Sequence, residues 1–299
     1  VVEIQRARIV SAMIDVVSER SRANTTVAHV VARSGVSRRT FYEIFEDFED
    51  CFLAALNQSL ALASEYVLGA YDLREKWRVR TRAALIGILE FLEDEPAMGR
   101  LCIVETLGAG PRPHERRLHV VERMIAAVDE GRSESRSAGG LPPLTAEGVV
   151  GGILSVLHAR LIEQGRRGSL LELSGPLMAM VVLPYLGPAA AQKESSRPLP
   201  QRRIHARPAS KDPLRDLEMR LTYRTVRVLL AIAARPGTSN REVGLAAGIE
   251  DQGQISKLLT RLDKLGLIHN SGAGRARGAP NAWTLTDQGI AVQEMVSGP

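Results

Sequence analysis

The chain has 299 residues, 44% of them apolar and 24% charged, enough for two or three domains that each bury a core. Two cysteines, Cys51 and Cys102, exclude a disulfide framework or a cysteine-rich zinc site and point to a reducing, cytoplasmic compartment. The net charge of +5 is uneven: residues 193–299 carry 17 Lys and Arg against 10 Asp and Glu, and the first 192 carry 22 against 24, so the basic third is expected to face a polyanion, most simply nucleic acid.

Aromatic residues make up only 4%, so Leu, Val, Ile and Ala must build the cores. The longest apolar run, Leu177–Leu183, is stopped by Pro184 and falls well short of the roughly 20 residues that span a bilayer, so no membrane segment is expected. The chain opens at Val1-Val2-Glu3 without the basic segment and apolar core of a signal peptide, and without Met, as expected of a trimmed chain.

The first 190 residues read as helix. Ile9, Met13, Val16 and Val17 form a stripe of helical period, as do Phe52, Ala55, Leu56 and Leu60; Leu85, Ile88, Leu89 and Leu92; and Val150, Ile153, Leu154, Leu157 and Leu161. Breaks are expected at Gly69, Glu95-Pro96, Gly108–Pro113, Ser137–Pro143 and Ser174-Gly175-Pro176. Residues 187–213, with Pro188, Pro198, Pro200, Pro208 and Pro213 among six basic side chains, read as an extended linker. Beyond it, Val226, Leu229, Leu230 and Ala233 mark a helix. Ser239 can cap a second, and Asp251 a third with Ile255, Leu258, Leu259 and Leu262 inward. Leu267–Ser271 and Ala282–Thr286 then read as strands, and Thr286 can cap a last helix. Three helices followed by a hairpin is the winged-helix order.

A helix-turn-helix pattern lies in Thr25–Phe45. Thr26 can cap a helix carrying Val27, Val30 and Val31; Gly35 allows the positive φ of a tight turn; Val36 fills the corner; Ser37 caps the next helix. In that second helix Phe41, Ile44 and Phe45 face inward. Arg38, Arg39, Thr40 and Tyr42 stay outward, where a recognition helix meets base edges and phosphates.

The run Thr26–Phe45 resembles the DNA-binding domain of TetR-family transcriptional regulators, from about residue 3 to 62 and more weakly to about 190. The resemblance implies an all-α homodimer, paired through its last two bundle helices, that binds a double-stranded DNA operator and a small-molecule effector, with repression as the family default. Ser37, Arg38, Arg39, Thr40 and Tyr42 are the matching contact positions, joined by Thr26. Trp77, Cys102, Glu105, His119 and Met124 fall on helices that line the effector cavity in such bundles. One departure stands out. Members usually carry a phosphate-binding Lys just beyond the recognition helix, whereas this chain has Phe48, Glu49 and Asp50; residues 1–60 hold 7 basic against 8 acidic side chains.

Residues 215–297 resemble the MarR-like winged-helix group, through Ser239–Val243, Ala246–Ile249 and a recognition helix at Gln252–Gly266. Gln252, Gln254, Ser256, Lys257, Thr260 and Arg261 would be its exposed positions, and Arg275 and Arg277 would lie at the wing tip. A glutamine there can pair with adenine, and Lys or Arg with guanine or phosphate. The expected fold is therefore an all-α helical bundle with an N-terminal helix-turn-helix, followed by a small α+β winged-helix domain. Its divisions are the helix-turn-helix at 1–62, a ligand-binding and dimerisation domain at 63–190, a basic linker at 191–214 and the winged helix at 215–299. The functional expectation is a ligand-responsive regulator with two DNA-binding modules per chain. The alternative makes the winged helix a protein-docking or autoinhibitory module.

Catalytic look-alikes fail on geometry. His114-Glu115 and His119 miss the zinc-protease spacing by one residue, which turns the two rings apart on a helix. Gly272, Gly274 and Gly278 miss the dinucleotide spacing. No cofactor, metal or enzymatic activity is expected.

Overall fold

The computed structural model describes residues 2–69, 72, 74–135, 140–163, 168–200, 223–272 and 281–297. Two compact bodies form, one from Val10–Val30 and Phe45–Ala206, the other from Val1–Ile9, Val31–Ile44 and Arg207–Pro299. Along the chain the helices are α1 (Val2–Arg20), α2 (Val27–Ser34), α3 (Arg38–Ile44), α4 (Phe48–Leu68), α5 (Trp77–Asp94), α6 (Pro96–Ile103), α7 (Pro111–Asp129), α8 (Thr145–Ile162), α9 (Ser174–Leu186) and α10 (Pro188–Ser195). After these come α11 (Tyr223–Ala234), α12 (Asn240–Ala247), α13 (Gln252–Lys264), β1 (Ile268–Asn270), β2 (Trp283–Leu285) and α14 (Asp287–Ser297). The fold is thus an all-α bundle with an N-terminal helix-turn-helix and a small α+β winged unit.

The bundle core is built where the helical stripes predict it. Leu89 and Leu92 of α5, Val150 and Leu157 of α8, and Met178, Val181 and Val182 of α9 are all buried in one cluster. Gly87 lets α5 approach α4 closely, because a Cβ there would lie 2.6 Å from the Tyr66 carbonyl oxygen. Asp47 caps α4, its side chain accepting from the Asp50 N–H at 2.7 Å. Pro96 and Pro111 open α6 and α7 in the first turn, where the missing N–H costs nothing. By length and composition alone α4 and α8 are long and apolar enough to cross a membrane, a criterion that core helices of soluble proteins also meet. Each buries one face in this body.

Two local expectations are corrected. Ser174-Gly175-Pro176 is no break but the first turn of α9, a position that tolerates proline. Pro184, which stops the apolar run, lies inside that helix, which runs to Leu186. Pro188 starts α10 where extended chain was expected. The reason is Glu194, whose fully buried carboxylate is held by Arg82, with Arg78 at 3.7 Å and Arg197 at 3.7 Å. The Arg82 backbone-directed Nη2 also reaches the Glu194 carbonyl at 3.4 Å. Residues 201–214 of the expected linker, and 215–222 of the expected winged helix, lie outside the described residues.

In the winged unit, β1 and β2 pair antiparallel with Ile268 opposite Leu285, His269 opposite Thr284 and Asn270 opposite Trp283. Thr238 adds a bridge to Trp283. Leu229, Ile232, Ile255, Leu259, Leu262, Leu267 and Val292 make its core. Ser239 and Glu242 form a reciprocal capping box on α12, and Thr286 Oγ1 accepts from the Gly289 N–H at 3.1 Å at the start of α14.

Candidate nucleic-acid interface

The N-terminal pattern folds as its residues dictate. Gly35 adopts φ +68° and its N–H closes on the Val31 carbonyl at 3.1 Å, ending α2. Thr26 is exposed just before α2. Its carbonyl takes the His29 N–H at 3.0 Å, while its own N–H and hydroxyl turn to His29 Nδ1 at 3.3 Å, so the histidine completes this cap. Ser37 caps α3, accepting from the Thr40 N–H at 3.0 Å, and the two hydroxyls lie 2.8 Å apart. Phe41 and Phe45 are buried and Ile44 half-buried.

The outward face of α3 carries the expected side chains. Ser37, Arg38, Arg39 and Tyr42 are exposed, Tyr42 at 49%, and Thr40 is half-buried. The Arg38 guanidinium stands 5.9 Å from the Tyr42 ring centroid, and Tyr42 packs edge-on against Phe41 at 5.3 Å. Arg39 is not open, however. Its Nε lies 2.8 Å from Glu43 Oε1, one turn on, with the arginine side chain 88% exposed. Glu43 was missed from sequence, although an (i, i+4) pair is the signal for it.

The acidic run that replaces the expected lysine has its own partner. Arg112, in the first turn of α7, places Nη2 2.8 Å from both carboxylate oxygens of Asp47, and its backbone N–H donates to Glu49 Oε1 at 2.7 Å. Glu46 lies 3.8 Å away. Nearby, the Arg22 guanidinium stacks 4.1 Å over the Phe48 ring.

The five residues expected along an effector cavity disperse. Trp77 joins the bundle core, its Nε1–H donating to the Ala127 carbonyl at 2.9 Å and its ring meeting Tyr185 edge-on at 5.1 Å. Met124 packs against the same core. Burial pushes the Cys102 thiol up to about 12, only partly offset by the Ser59 hydroxyl. Glu105 is buried but engaged: it accepts from the Arg22 backbone N–H at 2.6 Å and from Arg100 Nε at 3.0 Å, so it ties the α1–α2 connection to the turn after α6. His119 is exposed on α7, because the bundle takes up the opposite stripe of that helix. Tyr185 was not singled out from sequence. It is buried, and its hydroxyl has no hydrogen-bond partner among the described residues.

On α13, Ile255, Leu259 and Leu262 point inward and Gln252, Gln254, Ser256, Lys257, Thr260 and Arg261 are exposed along the other side. Asp251 caps the helix through the N–H groups of Gly253 at 2.7 Å and Gln254 at 3.0 Å, and Thr260 Oγ1 donates to the Ser256 carbonyl at 2.9 Å. Arg224, missed from sequence, donates from Nη1 to Gln254 Oε1 at 3.2 Å. Arg275 and Arg277 lie outside the described residues.

No family model matches the sequence, and comparison with curated proteins gives no match. Solved structures are similar over the N-terminal part. The fatty acid degradation regulator FadR from Bacillus halodurans is 13% identical, with a TM-score of 0.52, over 59% of this chain and 94% of that one. A TetR-family regulatory protein from Rhodococcus RHA1 is 15% identical, with a TM-score of 0.49, over 59% and 96%. FadR from Bacillus subtilis, solved with stearoyl-CoA, is 14% identical, with a TM-score of 0.47, over 58% and 96%. At 13% identity, the likeness to the Bacillus halodurans protein is one of fold.

Proposed function

We propose that the chain is a ligand-responsive, DNA-binding transcriptional regulator, acting as a homodimer with two DNA-binding modules per chain, and not an enzyme. The observation that carries this reading is α3. A capped helix after a positive-φ glycine presents Arg38, Arg39 and Tyr42 to solvent while its aromatic Phe41 is buried, the arrangement a major-groove reader needs. The fold shared with FadR from Bacillus halodurans supports it.

Pairing through α8 and α9 is supported by what those helices leave uncovered. Gly148, Gly151, Ser155 and Ala159 of α8 and Met180 and Leu183 of α9 are exposed and uncharged, with Glu147 the exposed charge at the first turn of α8. An uncharged face of this kind is what a second copy covers at low desolvation cost. A two-fold pair would set the two α3 helices against half-sites about 34–36 Å apart or a multiple of that. In this reading the helix-turn-helix, the effector and dimerisation domain and the winged unit follow in the order 1–62, 63–190 and 215–299. The bundle domain extends to include α10. Effector binding draws support from Tyr185, a buried hydroxyl that a ligand oxygen would satisfy, beside the Trp77 ring. The winged unit supplies the basic surface that the N-terminal module lacks, through Lys257 and Arg261.

The test is selection of bound DNA from a random pool by the full chain and by its Arg38→Ala/Arg39→Ala and Lys257→Ala/Arg261→Ala variants. A near-palindrome lost in the first variant, with a flanking element lost in the second, supports two DNA-reading modules. A pool without sequence preference rejects the reading. A palindrome unchanged in the second variant makes the winged unit a docking or regulatory module instead.

A further inference from the structure

Three side chains converge at the start of α13. Asp251 caps the helix, and the backbone N–H groups of Gln254 and Gly253 hold its carboxyl below the usual range, with the Gln254 carboxamide and Lys257 adding to the effect. The other end of the same carboxamide, Oε1, accepts from Nη1 of Arg224 at 3.2 Å. Arg224 stands in the first turn of α11, thirty residues back in sequence, and is exposed. The Gln254 amide oxygen is therefore already engaged by a guanidinium.

That arrangement changes what the helix can read. A glutamine that recognises adenine uses its oxygen to accept from N6 and its nitrogen to donate to N7. Here the oxygen already serves a cation, and the adjoining positive charge repels the amino group that adenine would bring. What the corner offers instead is the rest of the guanidinium, which has five N–H donors and no acceptor. The complementary base edge carries acceptors only, and in the major groove that is O6 and N7 of guanine.

We propose that Arg224 is a specificity-determining residue of the C-terminal module and reads guanine, with Gln254 as the positioning residue that holds its guanidinium at the start of α13. This rests on the reading of the winged unit as a DNA-binding module. It assigns base recognition to the first helix of that module as well as to the third.

The experiment is selection from a random pool with the full chain, followed by affinity measurements on the selected site at several salt concentrations. Arg224→Ala, Gln254→Ala and Lys257→Ala/Arg261→Ala variants are run beside the wild type. The wild type should fix a guanine in the flanking element. Arg224→Ala should erase the preference at that one position, a loss of about 5- to 150-fold in discrimination. Gln254→Ala should weaken the same preference without creating another. An adenine at the position, or a guanine preference that survives Arg224→Ala, overturns the assignment. So does a loss equal for all sequences with the salt slope reduced by about 0.9, which marks a phosphate contact. If Lys257→Ala/Arg261→Ala also leaves site and affinity unchanged, the DNA-binding reading of the module fails and the guanine assignment with it. If that double variant loses the flanking element while Arg224→Ala keeps its guanine, only the assignment falls.

Discussion

Arg112 grips Asp47 with a single nitrogen 2.8 Å from both carboxylate oxygens, and Asp47 is at the same time the residue that caps α4. The first turn of α7 is thereby bonded to the first turn of α4, which begins four residues after α3 ends. In the proposed regulator, a ligand that displaces α7 pulls on this joint. Arg112→Ala should leave operator binding by the ligand-free protein near wild type but shrink the ligand-induced change in affinity, which is about 5- to 150-fold in a typical coupled system. Titrating operator affinity with and without ligand measures it. An unchanged ratio removes Arg112 from the coupling.

Glu43 restrains Arg39 and places a negative charge on the face that the proposed regulator would offer to DNA. Glu43→Ala should tighten operator binding about severalfold at low salt, and the advantage should fade as ionic strength screens the pair. Binding isotherms at two salt concentrations decide it. A weaker complex at both would mean that Glu43 orients Arg39 for its contact.

Tyr185 hides a hydroxyl without a hydrogen-bond partner among the described residues, so its removal takes away an unsatisfied polar group and keeps the ring. Tyr185→Phe should raise stability by about 1 kcal/mol in denaturant unfolding and weaken the response to ligand. Destabilisation would show that the hydroxyl is satisfied in solution.

Glu194 is fully buried among arginines, and Arg82 itself is only 12% exposed. Glu194→Ala leaves that guanidinium without its counter-charge. Breaking a buried pair from one side costs about 3–5 kcal/mol. The expected result is a lower unfolding midpoint and earlier proteolytic cleavage at α10. Wild-type stability in this variant would mean that water replaces the carboxylate.

The winged unit should lose stability in acid. Glu242 is held below its usual range by hydrogen bonds from the Ser239 side chain and backbone, and Asp251 by the N–H groups of Gln254 and Gly253. A carboxyl whose folded pKa is depressed stabilises the fold above its unfolded pKa, about 4, and that contribution drains away as pH falls through the folded value. The midpoint of unfolding should therefore drop below about pH 4, less steeply in a Glu242→Gln/Asp251→Asn variant. Parallel pH profiles would remove these caps from the acid response.

What was legible in the sequence was local. Ser37, Ser239 and Asp251 cap the helices they precede because capping needs only a side chain and an N–H two or three residues on. Gly35 turns the chain for the same short-range reason. The stripes on α5, α8 and α13 became cores because period alone fixes which face is apolar. What escaped was made by folding. Arg112 and Asp47 are 65 residues apart, and Arg224 and Gln254 thirty, so neither pair has a sequence signature. The helix at Pro188–Ser195 was hidden by its proline, since a proline that breaks a helix in its interior starts one at its first position. The two donors that hold Glu105, the Arg22 N–H and Arg100 Nε, likewise have no signature in the sequence.

Cys102 has a further consequence. A thiol pushed up to about 12 holds almost no thiolate at neutral pH, and the thiolate is the form that attacks peroxides and disulfides. The helix that carries it is thereby shielded from oxidative chemistry at that sulfur.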